Sequence, residues 1–168
     1  MFRISGISRK GKVQSVEKWS MTIHRLFSKD PNDEEENVTQ NIYVFRFILF
    51  CIIVYSFEML LNSVDIFIVD KTIFTRGYVT GCLFAAVYVL ILLHLGLEHP
   101  LTKYVSITAV RLIIMAASVS LTYHMIIIIM MPIIIAGMYT SKQLSIYTFV
   151  LTVLSIIIST YAGYYYGV

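Results

Sequence analysis

Five ionisable side chains interrupt apolar stretches of this chain: Arg46, Glu58, His94, Arg111 and His124. At membrane depth such a group costs a few kcal/mol on insertion scales, so each one needs a partner or a task. Glu58 and Arg111 are the pair with the most chemistry to offer, as an acid and a fixed cation. Helical rise puts them about 12 Å apart in depth if both lie on parallel spans, so a link through water or tyrosine is easier than a direct salt bridge. A polar cluster that only fixes how helices pack is the alternative. Tyr123 and His124 fall with Glu58 and Asp65 at the outer helix ends. A carboxylate beside His124 would favour its charged form, which makes this group the candidate sensing or ligand pocket.

The other ionisable groups offer less. Arg46 lies about five residues, or roughly 7 Å, inside its span and can snorkel to the headgroups. His94 and His99 are five positions apart, not the four that puts two imidazoles on one helical face, so no metal site is expected. Cys51 and Cys82 stand in apolar runs and read as small buried hydrophobes. The sequence contains no phosphate loop, Gly-x-Ser-x-Gly or His-Glu-x-x-His, so an enzyme is not expected and no cofactor is called for.

The elements that must hold these groups are membrane helices. The chain is 58% hydrophobic and 14% charged with a mean hydropathy of +0.78, and the charge deficit lies beyond residue 40. Five spans are expected, at about Asn41–Asn62, Arg76–Leu97, Lys103–Tyr123, His124–Tyr139 and Leu144–Gly167. Pro132 would kink the short fourth span or make it re-entrant, and four spans with a broken pair is the competing count. The tyrosines Tyr139, Tyr147, Tyr161, Tyr164, Tyr165 and Tyr166 read as an interfacial belt. Gly77-x-x-x-Gly81 permits close helix contact.

Residues 1–40 form a polar leader and residues 41–168 the bundle. The leader has no apolar core of signal-peptide length. From Val13 to Lys29, Val13, Val16, Trp19, Ile23, Leu26 and Phe27 recur at helical spacing, while Lys12, Lys18, Arg25 and Lys29 fall elsewhere around the wheel. An amphipathic interfacial helix follows, with Trp19, Lys18 and Arg25 as its membrane-surface residues. Seven of the 13 Lys and Arg precede Ile42, which puts the amino terminus in the cytoplasm of a multi-pass protein of the inner or plasma membrane. With five spans, Val168 would be outside.

The segment Tyr123-His124 … Met131-Pro132-Ile133-Ile134-Ile135-Ala136-Gly137-Met138-Tyr139-Thr140-Ser141-Lys142-Gln143-Leu144 resembles the amino-terminal membrane regions of bacterial GGDEF diguanylate cyclases and histidine kinases. In those regions a Pro-containing helix, small residues, a Tyr and a short basic turn precede a Thr/Ser-rich span, here Ile146–Ser159. The resemblance implies a sensory or anchoring module of signal transduction, read as part of a longer protein whose output domain is not in this chain. It implies no catalytic residue. The expected partners are the lipid bilayer, a small ligand of unspecified chemistry and a second copy in a homodimer, with no nucleic acid. A small transporter or transport subunit is the rival reading. An intramembrane enzyme using His94, Glu98 and His99 is a third.

Overall fold

The computed structural model describes residue 17 and residues 19–27, 36–66, 69–121 and 129–166, which include no strand. Residues 19–27 form α1. The bundle consists of α2 (Glu36–Ser63), α3 (Lys71–Leu95), α4 (Thr102–Leu121), α5 (Met131–Met138) and α6 (Lys142–Tyr166). Four of these, α2, α3, α4 and α6, are long and apolar enough to cross a membrane. The protein is therefore an all-helical, multi-pass membrane protein. Runs of Ile and Val are no obstacle to helix here, because in hydrocarbon each backbone group must be satisfied within its own segment.

Polar residues mark the helix ends. Asp70 opens α3 by accepting from the backbone N–H groups of Thr72 and Ile73 at 2.9 and 3.0 Å. Gly96 closes it with φ 88°, a conformation that only glycine adopts without strain, and its N–H bonds to Leu92 O at 2.8 Å. Within the helices, Ser56, Thr80, Thr108, Thr148 and Ser155 each donate to the carbonyl one turn earlier, which is how hydroxyls are accommodated in apolar helices.

The hub of the bundle is α4. Of its spanning stretch 61% is buried, against 17–22% in α2, α3 and α6, and it packs on all four of α2, α3, α5 and α6. Gly81 of α3 lies against the Tyr55 ring and Ala116. A Cβ there would stand 3.5 Å from the ring, so the small residue eases the approach without being required for it.

One end of the bundle is held by side chains on backbone. Asn41, 2% exposed, donates through Nδ2 to Leu97 O at 2.8 Å, and its Oδ1 accepts from the Tyr139 hydroxyl at 2.8 Å. Gln40 donates to Met138 O at 2.6 Å. Beside them, the Tyr88 and Ser106 hydroxyls share a hydrogen bond of 3.1 Å, and Thr102 closes on Gly96 O at 2.7 Å. The start of α2, the ends of α3 and α5 and the start of α4 therefore meet at this end. From there α6 runs parallel to α4. Tyr147 touches Tyr104 and Thr108, Thr152 meets Arg111, and Ile158 and Ala162 share a cavity with Met115 and Val119.

These contacts bear on three expectations. Of the expected fourth span at His124–Tyr139 the structure describes residues 129–139, which hold the eight-residue α5, about 12 Å long; residues 122–128 lie outside the described residues. Pro132 stands in the first turn of α5, where its missing N–H costs no hydrogen bond. Tyr139 is 4% exposed and belongs to the buried network, whereas Tyr161, Tyr164 and Tyr165 are 73–85% exposed.

Asn41→Leu should destabilise the bundle by about 1–2 kcal/mol, because it leaves the Tyr139 hydroxyl and the Leu97 carbonyl unpaired in a dry site. Tyr139→Phe should cost less. Unfolding in detergent, followed by circular dichroism, measures both.

Candidate functional site

Arg111 and Glu58 stand at different places in the bundle, and the fold separates them. Arg111 lies at the middle of α4 and is 2% exposed. Its guanidinium points towards α5 and α6, donating to Ile129 O at 2.9 Å and to Thr152 O at 3.1 Å. No carboxylate faces it among the described residues. Its Nε is buried without a hydrogen-bond partner there, and so is Thr152 Oγ1. Thr148 and Ser155 on the same helix bond back one turn, so the orphaned Thr152 hydroxyl is specific to the place where Arg111 arrives. The cation thus spreads its charge over two carbonyls, and a donor and a hydroxyl beside it are left uncommitted.

Glu58 lies on α2, half-buried, at the rim of a cavity of about 150 Å³. On α2 the walls follow one helical face through Cys51, Tyr55 and Glu58. Ile114 and Ala117 of α4 and Met131 at the start of α5 close the opposite side. Glu58 has no hydrogen-bond or ion-pair partner among the described residues. Its neighbours on α4, Ile113, Ile114 and Ala117, lie two to six residues beyond Arg111, and no direct salt bridge joins Glu58 to Arg111. The two sites share α4, which carries Arg111 and walls the cavity through Ile113, Ile114 and Ala117, and the region of Ile129 and Met131, where Ile129 receives the guanidinium and Met131 lines the cavity.

Other flagged residues have structural partners or fall elsewhere. At α1, Thr22 and Leu26 are buried while Trp19, Met21, Ile23 and Phe27 are 46–66% exposed. The helix is held by Arg25 to Glu98 at 2.8 Å and by Arg46 Nε to Leu26 O at 3.3 Å. Arg46 therefore reaches a helix carbonyl, a role that its depth alone did not reveal. The Arg25–Glu98 pair crosses an open groove of about 570 Å³ that is also lined by His24 and Leu97. Both partners are well exposed, which makes the pair a minor contributor to stability. His99 accepts from the Leu101 N–H at 3.2 Å in the turn before α4. Among the described residues no three His, Cys, Asp or Glu converge on a metal position. Tyr123, His124 and Lys18 lie outside the described residues. The pairing of Asn41 with Tyr139, 98 positions apart, carried no sequence signal beyond two polar groups in apolar surroundings.

No family model, curated protein or solved structure matches this chain.

A buried cation without a counter-charge is a poor stabiliser, and an apolar side chain of similar volume at such a site is commonly neutral or better. Arg111→Met should therefore unfold at the same temperature as the parent or higher. A loss of more than about 2 kcal/mol would instead assign the guanidinium to holding α4, α5 and α6 together.

Proposed function

We propose that this chain is a sensory or anchoring module of membrane signal transduction, the class implied by its resemblance to the membrane regions of GGDEF diguanylate cyclases and histidine kinases. The supporting observation is the cavity at Glu58. It is walled by α2, by the helix that carries Arg111 and by the first turn of α5 at Met131-Pro132. A ligand seated there touches the elements whose relative packing Arg111 adjusts through the Ile129 and Thr152 carbonyls. Its effect on the bundle equals its difference in affinity for two packings, so a carboxylate on the cavity wall without a partner among the described residues, and a guanidinium on the adjoining helix held only by backbone carbonyls, suit a switch better than a static scaffold.

In this reading the amino terminus is cytoplasmic, with α1 in the headgroup layer and Trp19, Met21, Ile23 and Phe27 turned to lipid. The bundle crosses the membrane five times, and two copies assemble as a homodimer. The second reading, a small transporter, draws on one observation, the uncompensated charge of Arg111 at mid-depth. Uptake of a solute by reconstituted protein would favour it.

In a full-length signalling fusion, Glu58→Gln and Arg111→Met should each shift output, and the double variant should fall short of the sum because both act through α4. Unchanged output in all three overturns the sensory reading.

A further inference from the structure

The chemistry of the Glu58 cavity narrows what it can bind. Of the ten acidic residues, Glu58 is the only one inside a spanning helix, apart from Glu36 at the first position of α2. The buried cation of the bundle is committed elsewhere, because Arg111 directs its terminal nitrogens to the Ile129 and Thr152 carbonyls. The carboxylate is thus the only charge on the cavity wall, and it lacks a partner among the described residues. The rest of the lining is apolar or aromatic and includes Phe47, Phe50 and Tyr55, aromatic side chains of the kind that attract organic cations. A volume of about 150 Å³ is of the order that admits a single aromatic ring. Phe50 and Val54 on the rim are 61% and 38% exposed, so the opening faces the lipid side of α2.

We propose that this cavity binds a lipophilic organic cation of the arylalkyl-ammonium class, with the ring between α2 and α4 and the ammonium donating to the Glu58 carboxylate. The inference rests on the sensory reading's assignment of the cavity as a ligand site and adds the charge and shape of the ligand. An ammonium–carboxylate contact is strong in a poorly hydrated site, where both charges leave water together. Anions are repelled by Glu58, and a neutral ring compound keeps only the apolar contacts.

The test uses the full chain in phosphatidylcholine nanodiscs with two probes of equal shape, 4-fluorobenzylammonium and 4-fluorobenzyl alcohol, titrated by ¹⁹F NMR. The expected result is saturable binding of the cation at least tenfold tighter than the alcohol. Glu58→Gln should erase that difference while leaving alcohol binding unchanged, and Glu58→Asp should keep most of it. Should Glu58→Gln fail to fold, the wild-type ratio together with Glu58→Asp still decides the question. If the alcohol binds the wild type as tightly as the cation, or the cation binds Glu58→Gln undiminished, the assignment of charge is wrong and the cavity remains a neutral ligand site. If neither probe saturates, the ligand site fails along with the inference. Signalling output enters neither arm, so loss of the sensory mechanism alone would leave this result standing.

Discussion

The Asn41 amide ties together three segments that lie far apart in the chain: the start of α2, the exit of α3 at Leu97 and the exit of α5 at Tyr139. The end of a membrane bundle is where loops leave backbone groups unpaired, and little water reaches them at a buried junction. Two hydrogen bonds from one side chain satisfy a carbonyl and a hydroxyl there and set which helix ends are adjacent. Once α5 is held at this end by Tyr139 and Gln40, Ile129 comes level with the middle of α4. The guanidinium of Arg111 then meets it. The position of the functional groups thus descends from a contact at the far end of the bundle.

The arrangement of charge around α4 is unusual for a helix so deeply packed. Its neighbours supply carbonyls to Arg111 and no carboxylate among the described residues, while Glu58 of α2 lines a cavity on another side of the same helix. Keeping the two charges apart costs stability, because neither meets an opposite charge among the described residues in surroundings of low dielectric.

Several residues were legible from their type alone. Glu58 and Arg111 stood out because a charge in an apolar run is expensive, and neither meets an opposite charge among the described residues. All the tyrosines from Tyr139 onward were expected to form one interfacial belt, yet Tyr161, Tyr164 and Tyr165 at the end of α6 are exposed and Tyr139 is buried. A tyrosine beside a short basic turn looks interfacial in sequence, and only the return of the chain to Asn41 buried it. Arg46 likewise read as a snorkelling cation, whereas docking of α1 supplied the Leu26 carbonyl that it binds.

What the sequence by itself determined is the solvent and the secondary structure. Apolar runs of membrane-spanning length admit only helices, because hydrocarbon offers the backbone no other hydrogen-bond partner. What only the tertiary structure decided is which polar groups find one another. Asn41 with Tyr139, Arg111 with Ile129 and Thr152, and Glu58 with no partner among the described residues are outcomes of helix order and register. Hydropathy is blind to both, since every lipid-facing or helix-facing side of these segments is apolar alike.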